Sequence, residues 1–379
     1  MQDACWLNCS FKILFERADM PMPFQGLKVV ELAGVLAGPA VGMFFSEMGA
    51  QVIKIENKRT GGDVTRSWRV AGEDSHVPES AYYNSVNWNK HVRFLDFHSE
   101  KDLNEVHELI DHADIVITNF KEGDAFRYRL DADSLRKKNN GLIVAEITGF
   151  SDSARLAFDA VLQAETGFMS INGEPGGQPL KLPVAFIDLM AAHQLKEGVL
   201  VALIHRLKTG RGSKVRVSLY RSAIASLANQ ASTYLNTGQV PSATGSLHPS
   251  IAPYGEVFPC SDGRLILLAV GSDKQFRELC SLLGLGFLAD LSEFATNPAR
   301  VLNRMGLADQ LRPAIKAFRS DDLLDRFIAS GVPAAPVNDL HDLFLEAEAR
   351  SMVLEQTEPD GRISKRVATA VFEWEPYED

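Results

Sequence analysis

The sequence predicts an α/β protein whose larger part is a doubly wound parallel sheet and whose smaller part is an α+β region. Short apolar runs typical of strands alternate with helical patterns through the first half of the 379 residues. Turns rich in glycine and proline separate these runs, and a hairpin pattern replaces the alternation after about residue 253. Parallel strands need crossover connections, which are usually helices, so the alternation is typical of βαβ units.

The first half contains the predicted βαβ units. Pro39 follows the first apolar run and suits the first turn of a helix, which Gly49 then ends. The predicted strands cover 27–32, 51–56, 92–97, 114–118, 142–147 and 214–219, and the predicted helices cover 39–48, 102–112, 187–207 and 222–235. In the helix over 187–207 the apolar residues recur at helical spacing, and glycines follow its end.

The second half has the pattern of a smaller α+β region. Residues 236–253 are rich in Gly, Ser, Thr and Pro, which is typical of a loop. The segments 256–259 and 264–270 flank the turn Ser261-Asp262-Gly263, which favours an antiparallel hairpin. Helical patterns over 274–283, 307–318 and 321–330 complete the region.

Composition and charge exclude several classes of function. The net charge of −10 argues against a nucleic-acid partner, because phosphate binding needs a basic surface. The four cysteines are too scattered for a disulfide framework or a zinc site, so we expect a reducing, cytoplasmic setting and no metal. The longest apolar run, 33–45, is too short to span a membrane. Residues 1–24 lack the patterns of signal and transit peptides, and we expect a loosely packed extension.

The segment 30–56 resembles a dinucleotide-binding unit, because Glu56 places an acid at the end of its second strand. Its glycines have the wrong spacing for that function. Gly34, Gly38 and Gly42 recur every four residues, whereas the dinucleotide fingerprint is G-x-G-x-x-G. We therefore expect a Rossmann-like unit that binds no NAD, with an NAD-dependent oxidoreductase as an alternative.

Two acids stand among apolar side chains. Asp159 lies in Ala-Phe-Asp-Ala, and Asp188 lies in Phe-Ile-Asp-Leu-Met. A carboxylate in apolar surroundings is costly unless it is capped, paired or used in chemistry. For Asp188 an N-cap of the following helix is a sufficient structural explanation, and a catalytic role is the alternative.

A series of short motifs carries a resemblance that covers residues 27 to about 352. In chain order they are Val29-Val30-Glu31-Leu32, Ala37-Gly38-Pro39, 49–56, Gly62-Asp63-Val64-Thr65-Arg66, Asn89-Lys90, Leu95-Asp96, Asn119-Phe120, Ile147-Thr148-Gly149-Phe150, Asp159, Gln163-Ala164, Gly167, Asp188, 206–212, Ala252-Pro253-Tyr254, Asp262-Gly263 and Gly331-Val332-Pro333. In this order the chain resembles the class III coenzyme A transferase family. That family includes formyl-CoA and carnitine CoA-transferases and the α-methylacyl-CoA racemases.

The resemblance implies an enzyme that moves CoA between an acyl-CoA thioester and a carboxylic acid. Asp188 falls on the family's nucleophilic aspartate, and the reaction would pass through an aspartyl-CoA thioester on that residue. The implied coenzyme A contacts, including a second acidic position near the reacting centre, are Ala37, Leu95, His98, Asn119, Phe120, Lys121, Arg127 and Asp159. Coenzyme A would enter as the acyl-CoA substrate.

The resemblance also implies an organisation of the chain and of its assembly. After the extension at 1–24, residues 25–212 would form the first part of a large Rossmann-like domain. Residues 213–330 would form a linker and a small α+β domain, and 331–379 would return to the large domain. Two ring-shaped subunits would interlock, so a homodimer is expected.

Departures from the family pattern bear on the substrate and on the alternatives. Leu36 stands where formyl-CoA transferases have a glutamine, and Asn57 replaces a coenzyme-contacting arginine, so formyl-CoA and oxalate are not expected substrates. An acyl-CoA racemase or epimerase would need a histidine immediately before Asp159, where this chain has Phe158. A non-catalytic acyl-CoA binding protein is the other alternative, since the coenzyme contacts are altered.

Overall fold

The computed structural model of the chain describes residues 22–121, 123–151 and 155–374. They form two compact units. The first unit comprises the described residues up to Gly167, the segment Leu182–Thr237 and the described residues from Ala347 onward. The second unit comprises Phe168–Lys181 and Gly238–Glu346.

The elements follow one another along both units. The strands are β1 (Lys28–Glu31), β2 (Gln51–Asn57), β3 (His91–Leu95), β4 (Ile115–Thr118), β5 (Ile143–Thr148), β6 (Lys214–Ser218), β7 (Tyr254–Pro259), β8 (Leu265–Ala269), β9 (Ala334–Pro336), β10 (Val353–Thr357) and β11 (Ile363–Val367). The helices are α1 (Ala37–Glu47), α2 (Ala81–Asn84), α3 (Glu100–Asp111), α4 (Asp124–Arg127), α5 (Ala132–Arg136), α6 (Asp159–Glu165), α7 (Phe168–Ile171), α8 (Phe186–Thr209), α9 (Leu219–Ala225), α10 (Ala228–Thr237), α11 (Asp273–Leu282), α12 (Asn297–Leu302), α13 (Arg304–Lys316), α14 (Ser320–Ala329), α15 (Leu340–Leu343) and α16 (Ala347–Ser351). Short 3-10 helices cover Lys58–Thr60, Val64–Ser67 and Gly286–Asp290.

A six-stranded parallel sheet in the order β3-β2-β1-β4-β5-β6 forms the centre of the first unit. The strand order reverses between β1 and β4, which is the topological switch point of a doubly wound sheet. On one face Val30, Val116 and Val144 pack with Val106 and Ile110 of α3. The predicted doubly wound parallel sheet is confirmed, and the carboxyl ends of β1 and β4 are the expected place for a ligand.

Two glycines of α1 allow the close approach of that helix to β1. A side chain at Gly38 would collide with the Cβ atom of Ala33, and one at Gly42 would collide with the carboxylate of Glu31. The repeat of glycine at every fourth position therefore places two glycines on one helix face, where only a hydrogen atom fits. Close packing, and not phosphate binding, explains their spacing.

One predicted element of the first unit is wrong. A single helix was expected over 222–235, but the chain forms the two helices α9 and α10. The Arg221 amide donates a hydrogen bond to the Ser218 hydroxyl, which caps the start of α9. The helix ends at Ser226, and Ala228 has a φ of 43°. A left-handed backbone at Ala228 interrupts helical hydrogen bonding, which side-chain periodicity alone does not reveal.

The second unit is built on the antiparallel sheet β7-β8-β9, including the predicted hairpin. Phe258, Ile266 and Leu268 of the strands pack with Phe276 of α11 and Leu311 of α13 in a buried core. Strand β9 was not predicted, because three residues that include Pro336 give no alternating pattern.

The limits of the units differ from the predicted limits at 212 and 330. Strand β6 pairs in parallel with β5, so the first unit extends to Thr237. Strand β9 pairs with β8, so the second unit extends to Glu346. The chain then returns to the first unit, where the Glu47 carboxylate accepts hydrogen bonds from the amides of Thr369 and Ala370.

The predicted extension lies mainly outside the described residues, which begin at Met22. Phe24 belongs to the compact first unit, because its ring packs against Phe44 and Phe45 at centroid distances of 5.9 and 5.1 Å. Within the described ranges, no helix combines the length and apolar character needed to cross a membrane.

Candidate active site

Asp188 lies in the first turn of α8, as its third residue. The N-cap of this helix is Ala185, and no side chain of the cap residue bonds the helix start. The structural interpretation of Asp188 as the N-cap is therefore wrong. Its neighbour Ile187 is fully buried, and Phe186 and Leu189 are half-buried, so apolar side chains surround the carboxylate along the helix.

Asp159 supplies the cap that Asp188 does not. Its Oδ2 atom accepts a hydrogen bond of 2.7 Å from the backbone amide of Ile187. Its Oδ1 atom accepts a bond of 2.5 Å from the side-chain amide of Gln163, whose Oε1 in turn accepts from the amide of Leu182 at 2.7 Å. Gln163 is fully buried, so these bonds join the start of α6 to the start of α8 through a rigid contact.

The electrostatic surroundings of Asp188 disfavour its charge. Burial, and secondarily the charge of Asp159, raise the pKa of Asp188 to about 7. Among residues 22–121, 123–151 and 155–374, no hydrogen bond or ion pair joins its carboxylate to another side chain. A buried carboxylate that titrates near neutrality without a structural partner is typical of a catalytic group.

Tyr82, to which the sequence analysis assigned no role, lies near both carboxylates. It is half-buried and meets the Trp68 ring edge-on at 5.1 Å. Burial raises the pKa of its phenol, and the charges of Asp188, Asp159 and Asp63 raise it further. The sequence signal for a structured segment here is Ser-Ala-Tyr-Tyr at 80–83. The Ser80 hydroxyl caps the start of α2, the short helix that carries Tyr82.

The predicted coenzyme residue Asn119 follows β4 at the switch point. Its Oδ1 atom accepts a hydrogen bond of 3.2 Å from the Gly34 amide, and its Nδ2 donates one of 2.9 Å to the Gly34 carbonyl. The loop after β1 and the loop after β4 are thus joined across the crevice. Ala37, another predicted contact, begins α1 three residues after Gly34 and is buried.

The remaining predicted coenzyme residues come together at the same edge of the sheet. Phe97 contacts Phe120 and Tyr128 at ring-centroid distances of 6.0 and 5.5 Å, which joins the stretch after β3 to the stretch after β4. His98 meets the same Tyr128 ring edge-on at 5.9 Å. The Arg127 guanidinium lies 5.4 Å from the centre of the Tyr128 ring. These groups present rings and a cation on one surface.

The predicted residues Leu95, Lys121 and Arg127 differ in their exposure to solvent. Leu95 ends β3 and is buried, so its side chain belongs to the core. Lys121 is exposed, as is Arg127 at the end of α4. Within the part of the chain that the structure describes, no carboxylate forms an ion pair with either cation. Both therefore remain available to an anionic ligand.

Buried charges lie directly beneath the crevice. The Lys54 ammonium group is 2.8 Å from Glu31 and 3.2 Å from Asp63, and Lys90 is 2.8 Å from the other oxygen of Glu31. Burial opposes the charge of Lys54, but Glu31 and Asp63 outweigh it and hold the pKa of Lys54 above its ordinary value. Glu31, Lys54, Asp63 and Lys90 all lie in motifs of the family resemblance, but the sequence does not indicate that their side chains contact one another.

Glu56, the acid at the end of β2, has structural partners. Its carboxylate accepts hydrogen bonds from Arg66 at 2.7 and 3.0 Å, from the Tyr83 hydroxyl at 2.6 Å and from the Asp63 amide at 2.9 Å. Burial opposes its charge, but these bonds lower its pKa below the ordinary value. The acid that would bind a ribose in a dinucleotide site is therefore engaged elsewhere.

No group of three or more His, Cys, Asp or Glu side chains in the described ranges is arranged to hold a metal ion. Within its described residues the first unit instead offers the unpaired carboxylate of Asp188 in α8, and cations and aromatic rings at the sheet edge. That combination suits covalent chemistry on a ligand that carries both phosphates and a carbonyl group.

Comparisons with known proteins agree with this chemistry. The family model described as CoA-transferase family III matches residues 24–378. The chain is 39% identical to the succinate–glutarate CoA-transferase of Agrobacterium fabrum, with 93% of this chain and 91% of that protein covered. It is 33% identical to the succinyl-CoA:glutarate CoA-transferase of Homo sapiens, with 90% and 78% covered. The crystal structure of a CAIB/BAIF family protein from Brucella suis has a TM-score of 0.81 and 38% identity, with 93% of each chain covered.

Proposed function

The chain belongs to CoA-transferase family III, and from this premise we propose that it moves CoA from an acyl-CoA thioester to a carboxylic acid through Asp188. The single observation that carries the proposed role is the half-buried carboxylate of Asp188 in the first turn of α8, without a partner in the described part of the chain. Such a group can become covalently bonded without breaking a structural contact.

The reaction proceeds in four acyl transfers. An Asp188 oxygen attacks the thioester carbonyl carbon, which forms a mixed anhydride and releases the CoA thiolate. The thiolate attacks the aspartyl carbonyl, which releases the donor acid as its carboxylate and leaves an aspartyl-CoA thioester. The acceptor carboxylate attacks this thioester, which frees the thiolate again and forms a second anhydride. The thiolate then attacks the acyl carbon of that anhydride, and the Asp188 carboxylate is regenerated.

Both kinds of intermediate would be lost if water reached them. The apolar residues Phe186, Ile187 and Leu189 beside Asp188 support water exclusion. Burial also raises the nucleophile's pKa, so a carboxylate of higher basicity attacks than an ordinary aspartate provides.

The coenzyme occupies the carboxyl edge of the sheet in this proposal. Arg127 and Lys121 bind phosphate groups, and His98 and Phe120 contact the adenosine part. Support comes from the exposure of both cations, from the contacts that join the loops after β3 and β4, and from the general position of ligands in doubly wound sheets.

The substrates are short dicarboxylic acids, with succinyl-CoA as donor and glutarate as acceptor. This part of the proposal rests on the names of relatives that match most of the chain at 39% and 33% identity. The replacement of glutamine by Leu36 further separates the chain from formyl-CoA transferases.

The protein forms a homodimer in this proposal. The exposed fractions of Val201, Ile204 and Leu207 in α8 are 67, 54 and 86%, and solvent contact of three apolar side chains on one helix is unfavourable. A second subunit that covers them would remove that apolar area from water. Light scattering on the purified protein measures the mass directly, and a folded monomer near 42 kDa on dilution would contradict the dimer.

The decisive experiment is to trap the aspartyl-CoA thioester. The protein is incubated with succinyl-CoA without acceptor, and the peptide that contains Asp188 is analysed by mass spectrometry. We expect a CoA adduct on that peptide that hydroxylamine removes, and transfer to glutarate when the acid is added.

The matched variants are Asp188→Asn and Asp111→Asn. Asp111 is an acid at the end of α3 that pairs with Lys138 at 3.5 Å. We expect Asp188→Asn to lose both adduct and transfer, and Asp111→Asn to keep both. Full transfer activity in Asp188→Asn would refute the assignment of the nucleophile.

A further inference from the structure

We propose that Lys54, Asp63 and Asn119 are positioning residues that together hold the loop at 33–35 in one backbone conformation at the carboxyl edge of the parallel sheet. The inference rests on the proposed function, because CoA transfer is the reaction whose geometry the loop would serve. These three side chains come from β2, from the segment after β2 and from the end of β4.

Lys54 and Asn119 bind the backbone of Ala33 and Gly34, the first two residues of the loop. The Lys54 ammonium group donates a hydrogen bond of 2.8 Å to the Ala33 carbonyl. Asn119 accepts from the Gly34 amide at 3.2 Å and donates to the Gly34 carbonyl at 2.9 Å. The backbone groups of Ala33 and Gly34 are thus hydrogen-bonded to side chains and not to the backbone of a helix or strand.

Asp63 holds the third residue of the loop, Val35. The Val35 amide donates to Oδ2 of Asp63 at 3.1 Å, and Oδ1 of Asp63 is fixed by the amide and hydroxyl of Thr65 at 3.1 and 2.9 Å. Val35 has a φ of 72°, a left-handed conformation that a β-branched residue adopts only at a cost in energy. Such a conformation persists when surrounding contacts impose it, and it is common at functional sites.

Buried ion pairs join the three contacts into one unit. The side chains of Lys54, Glu31 and Asp63 are 1, 0 and 2% exposed, and Lys54 bridges the two carboxylates. Loss of either carboxylate would leave a buried charge without its full compensation, so each side chain is confined to its place. Glu31 is further held by Lys90 and is accommodated by the absence of a side chain at Gly42.

The loop lies at the carboxyl end of β1, and Asn119 joins it to the stretch after β4. It leads within two residues to Ala37, the start of α1. The Tyr82 phenol experiences the charge of Asp63 together with those of Asp188 and Asp159. None of the three positioning residues needs to contact the reacting atoms, because each acts through the backbone of the loop. A displacement of about 1 Å in such a loop is enough to reduce turnover about a hundredfold.

The test compares Asp63→Asn and Asn119→Asp with the matched control Glu47→Gln. Asn119 is exposed, so its variant leaves the core unaltered. Glu47 is also a buried carboxylate of the first unit that accepts backbone hydrogen bonds, but it holds residues 369–370. Two quantities are measured, namely hydrogen exchange of the Gly34 and Val35 amides in the free protein, and kcat and KM for CoA transfer.

We expect both variants to speed exchange of the loop amides by about tenfold. In Asp63→Asn a single side-chain oxygen replaces the two that accept from Val35 and Thr65. In Asn119→Asp an oxygen that repels the Gly34 carbonyl replaces the Nδ2 donor to it. We expect kcat to fall by about tenfold or more while KM for acyl-CoA changes by less than about threefold. The Glu47→Gln control should leave loop exchange and kcat unaltered.

Three results would overturn the inference. Unchanged exchange would mean that these residues do not hold the loop, and faster exchange with unchanged kcat would mean that the held conformation has no role in turnover. A raised KM at constant kcat and constant exchange would make Asn119 a direct coenzyme contact. If the wild-type protein transferred no CoA, the proposed function would fail separately, and the exchange rates would still decide whether the loop is held.

Discussion

The Oδ2 atom of Asp159 lies 2.7 Å from the backbone nitrogen of Ile187, the residue before Asp188. The Asp159 carboxylate of α6 therefore fixes the start of α8. Asp188, the acid in the first turn of α8, has no structural partner in the described chain. The two groups differ in their roles because Asp159 satisfies a backbone amide, while Asp188 is buried among apolar side chains.

The pH dependence of CoA transfer should depend on Asp159. The proposed attack by Asp188 requires its ionised form, so kcat/KM should rise with pH to a plateau above about 7, the pKa that burial and the charge of Asp159 produce. Asp159→Asn removes the second of these causes, so the acid limb should move to lower pH. Burial remains and is the larger cause, so the pKa should stay above the ordinary value. The measurement is a kcat/KM profile of both proteins between pH 5 and 9, and an acid limb that moves upward would contradict it.

Stability should respond to pH through Asp188 with a defined sign. The pKa of Asp188 is about 7 in the folded protein against an ordinary value of 3.8, so between these values the folded state holds a proton that the unfolded state has lost. The free energy of unfolding therefore falls as pH rises through this window and is constant for this group above it. Asp188→Asn should gain on the order of 1–4 kcal/mol relative to wild type between pH 4 and pH 8.

Urea unfolding of both proteins at the two pH values measures this difference. The Asp111→Asn variant is the control, because that residue is not in the apolar surroundings of α8 and its substitution should give a difference that varies little with pH. A relative stability of Asp188→Asn that is the same at both pH values would show that the carboxylate is solvated.

Arg127 should contribute to coenzyme binding and not to the acyl transfers. The charge-assisted contact with a phosphate predicts that Arg127→Ala weakens CoA binding by about tenfold or more, with turnover at saturating donor largely unchanged. Arg136→Ala is the matched control, since that arginine is also exposed but lies in α5, 4.0 Å from Asp133. Calorimetry with CoA and with its dephosphorylated form tests the assignment, and equal affinities in the two variants would refute it.

The same substitution should have opposite effects in two helices. Gly42→Ala would place a Cβ atom on the Glu31 carboxylate, so we expect a loss of about 2–4 kcal/mol in unfolding free energy. Gly306→Ala in α13 meets no atom within 4 Å and should stabilise the protein by about 0.5–1 kcal/mol, since alanine favours helix. Thermal unfolding of both variants provides the comparison, and a stable Gly42→Ala protein would mean that Glu31 has room to move.

Much of the sheet could be predicted because its information is local. The strands from 27–32 to 214–219 are apolar runs between turns, and their parallel direction follows from the helices between them. The broken helix at Ala228 was missed because its cause is a backbone angle, which no residue type in that stretch demands. The extension of the first unit to Thr237 does not follow from the sequence, because pairing of β6 with β5 depends on contacts some 70 residues apart.

The residues of the candidate site come from motif order, whereas their contacts could not be predicted from the sequence. Motif order placed Asp188 and Asn119 on a family pattern, and the family membership is confirmed. The bond of Asp159 to Ile187 spans 28 residues, and that of Asn119 to Gly34 spans 85. Such contacts arise from tertiary structure, and a polar residue in a sequence does not indicate which distant backbone group it will bind.

The bonds from Thr369 and Ala370 to Glu47 bear on how the chain folds as it is synthesised. The two partners of this contact are separated by 322 residues, so α1 leaves the ribosome long before the segment that satisfies its last acidic side chain. All strands of the parallel sheet are complete at Ser218 and can pair while the second unit is still being translated. A product that stops between these points would carry a finished sheet, but its Glu47 carboxylate would lack the backbone partners that residues 369–370 provide.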